Sequence, residues 1–201
     1  MIGNALYEQT PEEDRLRIRA FLEGDRTAFD SIVLCHQDSV YNLCLRLMGD
    51  REDAADCAQE VFLRVFRSLK GFRFRSRFST WLYAIVVNTC RNRLNSAEFR
   101  NRSRKVSIQS FFENSESREG HDVEDPAPTP LARLAQKERD RLVQAAINEL
   151  PSEGRELVIL RDMEELSYEE IVAVTGYNLG TVKSRLARAR QQLREKLKGV
   201  M

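Results

Sequence analysis

The stretch Asp53–Leu94, DAADCAQEVFLRVFRSLKGFRFRSRFSTWLYAIVVNTCRNRL, decides the architecture of this chain. It reads as two helices split by a basic-aromatic turn. Asp50 supplies an N-cap with Asp53 three positions inside, and the first helix ends before Gly71. Ala54, Ala58, Val61, Phe62, Val65 and Leu69 recur at helical spacing. The opposite face carries Asp56, Gln59, Glu60 and Arg64. The second helix is predicted to start near Ser76. Phe78, Trp81, Leu82, Ile85, Thr89 and Cys90 fall on one side of it, and Thr80, Ala84, Asn88, Arg91 and Asn95 on the other. That second side is polar without carboxylates, and Arg91 and Arg93 close it. A face meant only for water normally mixes both signs, whereas one built for phosphate and splayed bases has this composition. The turn Gly71–Phe78 interleaves aromatics with Arg73, Arg75 and Arg77, as single-strand binders do.

Upstream, Thr10-Pro11-Glu12-Glu13 is a helix start that runs to Glu23 and stops at Gly24-Asp25. Arg26 to Met48 reads as one long helix ended by Gly49. Its expected core positions are Phe29, Ile32, Val33, Val40, Leu43 and Leu47. Short connections predict antiparallel neighbours around one common core.

Downstream the character changes between Phe99 and Arg133. A basic run (Arg100, Arg102, Arg104, Lys105) gives way to an acidic one between Glu113 and Asp125, then to Pro126-Ala-Pro-Thr-Pro130. Few apolar residues and repeated prolines predict an extended linker. Arg139 to Leu150 is amphipathic and stops at Pro151. Ser152 is expected to cap a helix from Glu153 to about Glu164 with Leu157, Val158, Leu160 and Met163 inward. Ser167-Tyr-Glu-Glu170 is a capping box. Thr175-Gly176-Tyr177 makes a turn, and Asn178 can cap a last helix reaching about Lys198. Two helices joined by a short Gly-bearing turn form a helix-turn-helix. Val182, Leu186, Ala189, Leu193 and Leu197 mark the buried side of the last helix. Lys183, Ser184, Arg185, Arg188 and Arg190 mark its outer side. Early polar residues of such a helix reach base edges in the major groove, where Arg and Lys favour guanine.

Two stretches resemble the conserved domains of bacterial RNA polymerase sigma factors, most closely the extracytoplasmic-function (ECF) group. DAADCAQEVFLRVFR with FRFRSRFSTWLYAIVVNTCRN is similar to their second conserved region. LPSEGRELVILRDMEELSYEEI with LSYEEIVAVTGYNLGTVKSRLARARQQLREKL is similar to their fourth. The resemblance covers most of Ala20–Asn95 and Leu134–Leu197, in the family's order. It implies an all-α fold of two small helical domains, a region 2 bundle over 1–95 and a region 4 helix-turn-helix over 134–201. An extended linker over 96–133 would join them. It implies that Asp56, Gln59, Glu60, Leu63 and Arg64 dock on core polymerase. Phe72, Arg77, Thr80, Trp81, Asn88 and Arg91 would capture the opened strand of the downstream promoter element. Lys183, Ser184, Arg185 and Arg188 would read the upstream one. An inhibitory anti-sigma factor is the further partner implied.

The rest of the composition bounds this reading. The formal net charge is +1, so only the segregation of charge points to nucleic acid. No apolar run is long enough for a bilayer, and the N-terminus is too acidic and polar for a signal peptide, so a cytoplasmic chain is expected. Cys35, Cys44, Cys57 and Cys90 form no C-x-x-C pair and read as small buried hydrophobes. His36 and His121 lie far apart. No catalytic set, metal cluster or cofactor motif is visible. Without the resemblance, an ordinary helix-turn-helix regulator with a helical sensor, or a helical adaptor, would also fit.

Overall fold

The computed structural model describes residues 10–96 and 130–198. The basic and acidic runs of the expected linker, and Phe111-Phe112 within it, lie outside the described residues. Eight α-helices follow one another: α1 Pro11–Leu22, α2 Thr27–Met48, α3 Arg51–Ser68, α4 Phe78–Asn95, α5 Pro130–Asn148, α6 Ser152–Val158, α7 Tyr168–Thr175 and α8 Leu179–Leu197. No strand occurs among the described residues.

The first half is a bundle of α1 to α4. Thr10 caps α1, with its hydroxyl accepting from the Glu13 amide, and Pro11 opens the helix. Gly49 adopts the left-handed conformation that ends α2 (φ 76°). Asp50 then accepts from the Asp53 amide at 2.9 Å and starts α3 at once. Ile18, Ile32, Leu43, Val61, Leu69 and Leu82 are fully buried between the four helices. Each such large aliphatic side chain contributes about 1.5–3 kcal/mol relative to exposure. Buried Asp14 accepts from His36 at 2.9 Å, which satisfies the polar pair where α1 crosses α2. Helix α3 runs into a 3₁₀ turn at Leu69–Gly71, and the basic-aromatic turn follows. Helix α4 starts at Phe78 rather than Ser76, because Arg77 still has extended backbone at the cap position.

In the second half, α5 begins at Pro130, earlier than the expected boundary at Leu134. Proline at a first helical position loses no hydrogen bond, so the last of the linker prolines opens the helix instead of preventing it. Ser152 is not a cap: Pro151 holds that position, without a side-chain bond, and Ser152 is the first helical residue. The expected helix from Glu153 to Glu164 is divided. It is α-helical to Val158 and widens to a π turn over Ile159–Met163, where the Glu164 amide donates to the Ile159 carbonyl. The capping box is present in both directions: Glu170 N–H to Ser167 Oγ at 3.1 Å, Ser167 N–H to Glu170 Oε2 at 2.9 Å. Gly176 (φ 74°) ends α7, and Asn178 caps α8 by accepting from the Thr181 amide at 2.8 Å.

The two halves pack together, with α4 against α7, and their apolar side chains join in one buried cluster. The last turn of α2 is tied down by the second half. The Leu47 carbonyl accepts from Arg155 at 3.1 Å and the Arg46 carbonyl from Gln144 at 3.3 Å. These are helix-end carbonyls with no partner inside α2.

Glu170 tests the local logic. Bonds from the Ser167 backbone, then from its hydroxyl, hold the Glu170 carboxyl below its ordinary 4.5, against the opposing effect of burial. Its contribution is therefore present above pH 4.5 and lost as pH falls through the lowered value. Glu170→Ala is expected to cost about 1 kcal/mol near neutral pH, shrinking in acid. Urea unfolding at several pH values measures this.

Candidate nucleic-acid interface

Three sets of side chains carry the expected function, on α3, on the turn with α4, and on α8. On α3, Asp56, Gln59 and Leu63 are exposed, and Glu60 and Arg64 half-buried. Glu60 and Arg64 pair one helical turn apart, with Arg64 Nε at 2.9 Å. Arg93 reaches across from α4 to Asp53 and Asp56, both at 3.2 Å. Leu63 is 56% exposed within this charged frame. An exposed leucine ringed by paired charges suits a protein partner, with an apolar centre and a polar rim.

The turn and the start of α4 form an aromatic cluster. Phe72 contacts Phe74, Phe78 and Trp81 with ring centroids 5.0, 5.8 and 5.1 Å away. Phe72 and Phe78 are buried and Trp81 half-buried. Phe74 takes a left-handed backbone (φ 54°), unusual for an aromatic residue, and Arg15 stacks on its ring at 5.6 Å. Arg77 at the head of α4 is exposed.

The polar side of α4 is not open along its length. Asn88 is exposed, but Thr80 is buried and Arg91 half-buried. Thr80 donates to Glu170 at 3.4 Å, and Tyr83 donates to Glu164 at 3.0 Å. Arg91 donates to Glu156 at 2.8 Å. Arg46 of α2 also pairs with Glu164. The carboxylates that the α4 face lacks in sequence are thus supplied by the second half. Burial pushes the Glu156 carboxyl up, with Arg91 working against it. Burial lowers the Arg91 guanidinium, but its bond to Glu156 outweighs this and leaves it raised.

On α8, Lys183, Ser184 and Arg188 are exposed. Arg185 turns back. It pairs with Glu153 of α6 at 3.0 Å and stacks on Tyr177 at 4.7 Å, while Arg91 stacks on the same ring at 5.3 Å. Arg190 makes a two-pronged pair with Asp162, its Nε at 3.1 Å.

Sequence reasoning did not find the convergence of Tyr177, Glu153, Glu156 and Glu164 on α4. A partial signal was present: Glu156 sits among inward-facing residues, where a carboxylate needs a cationic partner. The thiols behave as expected of buried hydrophobes. Cys44, Cys57 and Cys90 are free and buried, and hydrogen bonds with the two neighbouring thiols, then burial, push Cys90 up. Among the described residues no group of His, Cys, Asp or Glu could hold a metal ion. None of their helices is long and apolar enough to cross a membrane.

Residues 32–100 match the family described as Sigma-70 region 2, and residues 140–193 that described as Sigma-70, region 4. The RNA polymerase sigma-H factor of Pseudomonas aeruginosa is 35% identical over 96% of this chain and 97% of its own. The ECF RNA polymerase sigma-E factor of Haemophilus influenzae is 33% identical, over 94% and 97% respectively. The ECF RNA polymerase sigma factor SigW of Bacillus subtilis is 31% identical, over 90% and 95%. Among solved structures, CnrH in complex with the cytosolic domain of CnrY shares the fold, with TM-score 0.62 and 21% identity over 92% of this chain and 97% of that one. The sigma factor RpoE of Bartonella quintana, solved with the anti-sigma factor NepR, gives TM-score 0.58 and 25% identity over 85% and 96%. Two helical modules of these two types, in this order, define a transcription initiation factor, and the chain belongs to the ECF RNA polymerase sigma factors.

Arg91 is the most heavily committed of the candidate residues. Arg91→Met leaves Glu156 buried without its cation and is expected to cost about 1–3 kcal/mol. In that variant the folded chain holds a proton on Glu156 more readily than the unfolded chain does. Stability should therefore recover as pH falls through the raised value, so the loss is larger at about pH 8 than at about pH 5. Thermal unfolding of the variant against the parent across that range measures it.

Proposed function

We propose that this chain selects promoters by dividing the work between its halves. Residues 1–95 hold polymerase and the opened strand, 96–133 tether, and 134–201 read duplex. The observation that carries this reading is the placement of α8. Its first turns, capped by Asn178 and braced on α7, present Lys183, Ser184 and Arg188 to solvent on a rigid helix, as duplex reading in the major groove requires. Asn88 stands exposed on the other half, beside Arg91 one turn away, where an unpaired base could be held.

Asp56, Gln59, Glu60, Leu63 and Arg64 are the proposed contact with core polymerase. Phe72, Arg77, Thr80, Trp81, Asn88 and Arg91 are the proposed strand site. Within it the aromatic cluster supports the fold of the site and Asn88 does the reading. Taking a base out of the stack costs a few kcal/mol, and aromatic stacking returns roughly 1–3 kcal/mol per base. One captured base biases opening locally, but melting a promoter needs the polymerase contacts as well. Arg185 reaches DNA only after leaving Glu153 and Tyr177. Two weak readers on one tether gain by effective concentration once both sit on polymerase. The chain carries out no bond chemistry and needs no cofactor. Its place is the cytoplasm, with the transcribing enzyme. The Bartonella relative's complex supports an anti-sigma factor as a further partner.

The direct experiment adds the chain to core polymerase, transcribes a genomic DNA library and maps the start sites. Starts sharing an upstream and a downstream element support the reading. Tight duplex binding by the free chain with no affinity for polymerase would make it an ordinary helix-turn-helix regulator. Asn88→Ala is expected to slow promoter opening while polymerase binding is retained, read by fluorescence of a base analogue in the melted region. Arg188→Ala should lose about 1–3 kcal/mol on the selected upstream element and much less on scrambled duplex, read by anisotropy.

A further inference from the structure

The α4 face proposed to hold DNA is occupied in this structure, and the occupant is the chain's own second half. Glu170 accepts from Thr80, Glu164 from Tyr83 and Arg46, and Glu156 from Arg91. Two candidate DNA contacts from different halves, Arg91 and Arg185, stack on one ring, Tyr177, and pair with carboxylates three residues apart on α6, Glu156 and Glu153. The arrangement matches in charge what a DNA strand would offer: an aromatic face flanked by anions. The seat is specific as well. Gly49, at the end of α2, has no room for a side chain, since a Cβ there would lie 2.9 Å from the Asn148 amide at the end of α5. It is also incompletely sealed. A cleft of about 140 Å³ remains between the halves, lined by Arg91, Arg155, Glu156 and Tyr177 among others. Polar, charge-rich junctions of this kind are typical of domains that dock reversibly.

We propose that Glu156, Glu164 and Glu170, with Tyr177, form an internal decoy for promoter DNA. The free chain thereby withholds Thr80, Arg91 and Arg185, and they are released only when the halves part. This rests on the strand-site reading of α4. The masked state scales the apparent affinity by the open fraction: raising that fraction from about 1% to about 10% tightens binding about tenfold.

The Arg46–Glu164 pair separates opening from simple charge, because neither residue belongs to the proposed DNA or polymerase sites. Fluorophores placed on the full chain through Gln37→Cys and Gln192→Cys, in a Cys35→Ser background, report the distance between halves. A labelled single-stranded oligonucleotide of mixed sequence reports DNA affinity. Arg46→Glu sets two carboxylates against each other. It should lower energy transfer and tighten oligonucleotide binding about tenfold, although the chain has become more acidic. Glu164→Gln should move both readouts the same way by less. Arg46→Glu with Glu164→Arg restores the pair in reverse and should return both readouts to the parent values. Unchanged transfer and unchanged binding in Arg46→Glu would overturn the decoy, leaving the strand site to be judged by transcription with polymerase. Reduced transfer without tighter binding would overturn the decoy and the strand site together.

Discussion

Helix α4 has to satisfy two environments at once. One side is a conventional apolar stripe, with Phe78, Leu82, Val86 and Cys90 inside the first bundle. The other carries Thr80, Tyr83 and Arg91, polar groups that are costly to bury without partners. The structure resolves the conflict by importing carboxylates. Glu156 enters a buried position only because Arg91 meets it there, and Arg91 gives up water only because Glu156 and Tyr177 replace it. This mutual requirement couples the two halves more than the apolar packing between them does. Either partner left alone would face an uncompensated charge at a half-dry junction.

The second half is built to present one helix. The capping box at Ser167 and Glu170 fixes the start of α7, Gly176 fixes its end, and Asn178 starts α8 two residues later. Val182, Leu186 and Ala189 then seat α8 by its inner face, so the outer face has little freedom of orientation. The π turn at Ile159–Met163 serves the same end. It carries Asp162, which grips Arg190 of α8, and it leads to Glu164, which reaches back to the first half.

Much of this was legible in the sequence, and the boundary of legibility is physical. The caps at Thr10, Asp50, Ser167 and Asn178, and the left-handed glycines 49 and 176, are local devices that short stretches of chain determine by themselves. The apolar stripes of α2, α3 and α8 were readable for the same reason. Where the reading slipped, a longer-range effect decided. Pro130 opened a helix that a run of prolines argued against, and Pro151 displaced Ser152 from the cap. Thr80 and Arg91 seemed free by periodicity, yet they are covered by a half of the molecule distant in sequence. Periodicity on one helix reports that a face is polar, not which surface will meet it. Phe72 shows the same ambiguity, for its ring serves the aromatic cluster in this structure whatever it later does for DNA.

The pairing along α8 has a kinetic side. Arg185, Arg190 and Lys196 are each already held by an acidic residue of the same half: Glu153, Asp162 and Glu149. Cations neutralised in this way displace few ions from the sheath around random duplex, and that displacement is the main source of sequence-blind affinity. A reader so muted lingers briefly on the wrong DNA. Its search of a chromosome would then run by many short visits rather than by long sliding, with residence set by the few exposed side chains that touch bases.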